Sequence, residues 1–129
     1  MTPRPDLPRP DPARPDRRKA LARGNAAEAL AALYFMSKGY RILARRYKTP
    51  VGEIDLIARR GRRIAFVEVK QRPARELCEA AVTSETRRRV HRAADWWLAR
   101  HEGHQALDLG FDCLFIVPWR WPMHFPDAL

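Results

Sequence analysis

The sequence predicts an α/β domain, a central sheet flanked by helices in the order α-β-β-β-α-β, and three observations carry that expectation. An Ala-rich run with helical periodicity comes first. Three short strand-like runs separated by turn residues follow it. A second, amphipathic helix then leads into one further strand. At 129 residues the chain is close to the commonest size of a single domain, so one compact core is expected.

Six of the 11 prolines fall in the first 15 residues, spaced among Arg and Asp with almost nothing apolar to bury. Residues 1 to 16 are therefore expected to form a disordered tail, and 17 to 129 a single domain. The first helix is predicted from Arg17 to Lys38, where Leu30, Leu33 and Tyr34 recur at helical spacing and Gly39 stands as a stop. Three strands are predicted over Tyr40 to Tyr47, Val51 to Ala58 and Ile64 to Gln71, the last two as a hairpin. Thr49-Pro50 and Gly61, inside R-R-G-R-R, punctuate them.

The second helix should be capped by Thr83 or Ser84 and run to about His101, with Val90, Ala93, Ala94, Trp97 and Leu98 on one face and basic residues on the other. Leu107 to Val117 reads as the last strand, and the segment after Pro118 receives no element. Trp96, Trp97, Trp119 and Trp121 read as core or interface aromatics rather than platforms for nucleobases.

Lys and Arg number 25 against 15 Asp and Glu, a net charge of +10 with a pI near 10.7. This excess favours a polyanionic partner, nucleic acid ahead of a membrane surface. Residues 1 to 19 hold only +3 of it, so the basic character belongs mainly to the folded part. Cys78 and Cys113 stand far apart and in no metal-binding spacing, which suggests neither a zinc site nor a disulfide framework. No run approaches the ~18 apolar residues of a membrane span, and the N-terminus lacks the apolar run of a secretory signal. A cytoplasmic protein without a membrane partner is expected.

The chemistry concentrates on the predicted hairpin. In Val51-Gly52-Glu53-Ile54-Asp55-Leu56, strand alternation puts Glu53 and Asp55 on one face and Ile54 and Leu56 on the other. In Ile64 to Lys70 it groups Phe66, Glu68 and Lys70 opposite Ala65, Val67 and Val69. Carboxylates converging on a largely apolar sheet repel one another and resist desolvation unless a cation or a shifted proton relieves them. Mg²⁺ or Mn²⁺ suits oxygen ligands and bridges to phosphate oxygens. Lys70 would then position or deprotonate a water, or stabilise charge building on phosphorus. The plainer reading is a solvated sheet face with a Glu68–Lys70 pair of little energetic consequence.

An Asp on one strand followed by Glu-x-Lys on the next, here Asp55 and Glu68-Val69-Lys70, resembles the active-site pattern of the PD-(D/E)XK nuclease superfamily. More closely, G-E-I-D-L-I-A with F-V-E-V-K-Q-R resembles the YraN family of small bacterial endonuclease-like proteins, related to archaeal Holliday-junction resolvases. The likeness runs from about Arg23 to the C-terminus. It implies a restriction-endonuclease-like core with a mixed central sheet. It also implies a catalytic role for Asp55, Glu68, Lys70 and Glu28, with Asp55, Glu68, Glu28 and Glu53 as metal ligands. Glu28 enters through the block R-G-N-A-A-E-A-L-A-A-L-Y-F; without the resemblance it would read as a surface residue. The chain departs from the family at Arg46 and Thr86, where Asn and Lys are common, and at Gly110, where Arg is usual.

Arg59, Arg60, Arg62 and Arg63 crowd the hairpin turn, and Arg87, Arg88, Arg89 and Arg92 crowd the start of the second helix. Both clusters, with Arg72, are candidates for phosphate contacts, although any single Arg is better explained by solvation and only the clusters argue for contacts. His91, His101, His104 and His124 show no metal-ligand spacing among themselves. The function expected is metal-dependent endonucleolytic cleavage of DNA, branched or junction DNA in keeping with the resemblance, and a symmetric junction would favour a homodimer. The alternatives are a non-catalytic nucleic-acid-binding module on the same scaffold, and an interaction subunit docking through its tryptophans.

Overall fold

The computed structural model describes residues 17–129, apart from the side chains of 17–24 and of Glu79; the tail expected over residues 1 to 16 lies outside the described residues. Helix α1 spans Arg17–Ser37 and strands β1, β2 and β3 span Arg41–Thr49, Gly52–Arg60 and Arg63–Gln71. Two short 3₁₀ turns, Arg75–Leu77 and Glu79–Ala81, lead to α2, Ser84–Arg100. Strand β4 covers Asp108–Ile116, and a three-residue β5, Met123–Phe125, fills part of the segment for which the sequence predicts no element.

The five strands form one mixed sheet in the order β1-β2-β3-β4-β5. Pairing is antiparallel except between β3 and β4, which run parallel with α2 as their connection. The α/β core with a mixed sheet and flanking helices is thus present, with one strand more than predicted.

The helices cover opposite faces. On one, Ala31, Ala32 and Phe35 of α1 pack on Leu56, Ala58, Ala65, Val67 and Leu114. On the other, Val90, Ala93, Ala94, Trp97 and Leu98 of α2 pack on Ile54, Ile57, Ile64 and Phe66. The apolar face predicted for α2 is the buried one, and Thr83 caps the helix by accepting the Thr86 N–H at 3.1 Å. In α1 the result differs. Leu30 and Leu33 are exposed, and alanines line the sheet. Small side chains at the contact let the helix axis approach the strands closely, which brings Glu28, beside the buried Ala27, within reach of β2.

A buried polar knot locks β3, β4 and the C-terminal segment. Asp112, fully buried, accepts from both terminal nitrogens of Arg63 at 2.8 and 2.7 Å, from His124 at 2.8 Å and from the Asp127 N–H at 2.9 Å. Burial alone would raise this carboxyl, but the hydrogen bonds from His124, Arg63 and Asp127 outweigh it and hold the group at about 2. Gly110 makes room for that arrangement, since a Cβ there would stand 2.2 Å from an Arg63 nitrogen. In this chain the guanidinium of Arg63 occupies the space over Gly110.

Candidate metal and catalytic site

The site is built where two strands part. Strands β2 and β3 pair from Arg60↔Arg63 to Leu56↔Val67, yet β2 begins at Gly52 and β3 continues to Gln71. In the gap beyond Leu56 the Asp55 carboxylate accepts the Val69 N–H at 2.8 Å. A side chain thereby satisfies a backbone donor that the ladder no longer serves. On the other side of β2, Arg46 adopts φ +50 and the β1–β2 register passes over the Arg46–Asp55 position. The register itself shifts earlier in β1, between Ile42 and Ala44. Ile54 packs on the α2 face and Leu56 on the α1 face, so the two do not share a face as simple periodicity expects.

The acids that converge are Glu28, Glu53 and Asp55, whose ligand oxygens lie within 4.8 Å of one another. The Glu28 side chain is only 11% exposed, and its Oε2 is buried without a hydrogen-bond partner. Arg46 Nε lies 3.2 Å from that oxygen, at ion-pair distance but without hydrogen-bond geometry. Burial first, then the neighbouring Glu68, raises Asp55 to about 7 against the lowering effect of the Val69 N–H. Burial also raises Glu28, with Arg46 opposing and Glu53 adding to the rise. At both carboxyls burial is the larger cause, ahead of repulsion between the acids.

Glu68 neighbours Asp55 but lies outside this group of three. It is buried, accepts from Arg89 at 2.9 Å through Oε1, and holds the Lys70 ammonium 3.2 Å from the same oxygen. Arg89 reaches it by crossing Gly52, where a Cβ would meet the Arg89 Cγ at 2.5 Å and where φ is +149. The glycine of G-E-I-D is thus needed for close approach and for its backbone conformation. A hollow of about 350 Å³ opens over the cluster, bounded by Glu28, Asp55, Val69, Lys70 and Arg72 among others. A larger hollow of about 680 Å³ is lined by Cys78, Phe115 and Met123, and none of the four acids borders it.

The arginines divide by position. Arg59, Arg60, Arg62 and Arg63 lie at the hairpin turn, four or more strand residues or at least ~14 Å from Asp55, at the far end of β2 and β3. Arg59 donates to the Gly61 carbonyl, Arg60 to Lys38 and Arg62 to Ala106, while the fork of Arg63 is occupied by Asp112. Of the α2 cluster, Arg89 reaches the acids through Glu68, while Arg87 lines the larger hollow. Arg87, Arg88 and Arg92 are exposed on the helix, next to Arg89, and Arg72 borders the acid hollow. Arg46, marked in the sequence only as a departure from the family, and Arg89, grouped with the phosphate contacts, instead pair with the acids. The left-handed φ of Arg46 carries no mark in the sequence, and Arg89 was indistinguishable from its basic neighbours.

Three carboxylates, an orphaned buried oxygen and a raised Asp55 fit a hard divalent cation, whose charge would relieve both the repulsion and the lost hydration. Fold and site together define a small α/β domain with an acid cluster where two central strands diverge. The chain belongs to the UPF0102 family, described as an uncharacterised protein family, whose model matches residues 27–116 and which includes the YraN proteins. A UPF0102 protein of Rhizobium meliloti is 52% identical over 110 residues, covering 85% of this chain and 90% of that protein. One from Mesorhizobium japonicum is 53% identical over 114 residues, covering 87% and 90%, and one from Brucella canis 51% over 110 residues, covering 85% and 87%.

Proposed function

We propose that this protein is a Mg²⁺- or Mn²⁺-dependent endonuclease of the PD-(D/E)XK type acting on DNA. The observation that carries the reading is the convergence of Glu28, Glu53 and Asp55 in the strand gap, with Lys70 on the rim of the same hollow. Asp55, Glu28 and Glu53 would hold the cation, with Glu68 behind them. When bound, the ion supplies Lewis acidity toward a phosphate oxygen and a more acidic water.

The remaining steps belong to the chain. Glu68 fixes Lys70 by an ion pair at 3.2 Å, and Arg89 fixes Glu68 in turn. The Lys70 ammonium donates to the attacking water and to the phosphate oxygens as negative charge accumulates. Water oxygen bonds to phosphorus as one P–O ester bond breaks, and the proton that the water gives up is the one the departing oxygen takes up. Arg72 and the exposed arginines of α2 hold flanking phosphates without reading bases.

Purified protein incubated with linear, flapped and four-way-junction DNA should cleave only when Mg²⁺ or Mn²⁺ is added. Asp55→Ala and Lys70→Ala should each lower the rate at least ~100-fold. Cleavage that survives both changes would sink the assignment.

One observation favours a second reading, a non-catalytic nucleic-acid-binding module. Arg46 already lies against Glu28 and Glu53, and Arg89 against Glu68, so internal cations offset part of the acid charge. That reading requires salt-sensitive DNA binding without cleavage, little changed in Asp55→Ala. Among the described residues no helix is long and apolar enough to cross a membrane. A homodimer on a symmetric junction would draw on exposed apolar surface, of which Leu30, Leu33 and Met36 on α1 form one stripe.

A further inference from the structure

Trp119 and Trp121 stand almost wholly in solvent, 101% and 87% exposed, on the loop between β4 and β5. They are not core residues, so of the two expectations for these tryptophans, core or interface, the core one is excluded. Large aromatic side chains gain from burial, so two adjoining ones left outside mark a surface that meets something.

The backbone holds them there. Val117 to Arg120 closes as a turn, the Arg120 N–H donating to the Val117 carbonyl at 3.3 Å. Pro118 takes the second position, and Trp119 takes the third at φ +64, a conformation that Gly or Asn ordinarily supplies. For a bulky residue this is a strained conformation, and such strain persists mainly where it aims a group at a partner. Pro122 follows Trp121, so proline brackets the W-R-W run on both sides.

The loop adjoins the acid site. In the parallel pair Gln71 lies opposite Ile116, and the Arg72 N–H donates to the Ile116 carbonyl at 3.1 Å. A hollow of about 550 Å³ bounded by Gln71, Arg72, Pro73, Ile116 and Pro118 shares Gln71 and Arg72 with the hollow over Asp55 and Lys70. From Ile116 the chain reaches Trp119 within three residues, at most ~11 Å. A continuous surface therefore leads from the acids past Arg72 to two exposed indoles with Arg120 between them.

We propose that Trp119 and Trp121 form a stacking platform for unpaired nucleobases of a single-stranded segment whose backbone passes Arg72 toward the acid cluster. The proposal rests on the nuclease reading and names its substrate class. Flat aromatic faces interleaved with a cation match a single strand, which offers bare base faces and phosphates in alternation. A duplex keeps its base faces stacked inside and offers the indoles only its ends. The chain's net charge of +10 complements the strand's phosphates.

The test is fluorescence anisotropy of a labelled oligothymidylate and of a labelled blunt hairpin duplex with the full chain in EDTA. Wild type, Trp119→Ala, Trp121→Ala and the double variant are compared, with a Trp119→Phe/Trp121→Phe control. Single strand should bind more tightly than duplex and weaken ~10-fold for each tryptophan replaced by alanine. Duplex affinity should change less than ~2-fold, and the phenylalanine variant should restore most of the lost affinity. Both side chains being exposed, thermal melting should be unaltered. No loss, equal loss on both ligands, no single-strand binding by wild type, or tryptophan-dependent binding to phosphatidylglycerol vesicles instead of DNA would overturn the platform. The nuclease reading fails separately. Absent cleavage with intact strand discrimination removes catalysis alone, whereas cleavage in which tryptophan variants treat single strand and duplex as wild type does removes the platform alone.

Discussion

Asp55 serves as a backbone partner and as a charged group at once: it accepts the Val69 N–H while burial and Glu68 raise it to about 7. Its unfolded value is near 3.8, so the stability it contributes is fully present below that pH and is lost as pH rises through about 7. Glu28, also raised, acts in the same direction. Asp112, held at about 2, loses its contribution only on strong acidification and does not enter this window. Metal-free protein should thus melt lower at about pH 8 than at about pH 5, and Asp55→Asn, which keeps an acceptor for Val69, should remove most of the difference. Melting curves in EDTA that retain the same pH dependence in the variant would contradict this. Asp55, Glu68 and Lys70 were legible because strand alternation groups acids against an apolar background. Glu28 was legible only through resemblance, since a glutamate on an Ala-rich helix looks the same whether it faces water or a sheet.

Among the elements, both helices and four strands follow from periodicity, with boundaries displaced by one or two residues. What periodicity could not foresee was the left-handed Arg46 and the β1–β2 register shift between Ile42 and Ala44, because alternation presupposes a regular ladder. In α1 the spacing marks the helix correctly but not its packed side, where alanines make the close contact while Leu30 and Leu33 are exposed. The three-residue β5 is too short to show a period at all. It sits beside the Asp112 knot, which depends on Arg63 crossing from β3 to β4 over Gly110. Arg63→Ala would leave Asp112 buried with one charged partner fewer and should destabilise the fold by about 3 kcal/mol in urea unfolding. A change within error would show that His124 and the Asp127 N–H suffice.

Across the whole molecule, charge is distributed unevenly in function. The hairpin arginines are remote from the acids and donate to carbonyls or to Asp112, whereas Arg89, paired with Glu68, and Arg72 lie at the end of the sheet where β2 and β3 diverge. The same end carries Trp119 and Trp121. A sequence reading that counts basic residues cannot separate these groups, because separation depends on strand direction. The central claim is that Glu28, Glu53 and Asp55 bind a divalent cation in the gap between β2 and β3. Mn²⁺ titration followed by electron paramagnetic resonance tests it directly. Wild type should show saturable binding, Asp55→Asn should abolish it, and Arg46→Asn should tighten it ~5-fold by removing a competing, partly exposed cation. Saturable Mn²⁺ binding that is unchanged in Asp55→Asn, or none in wild type, would contradict the account.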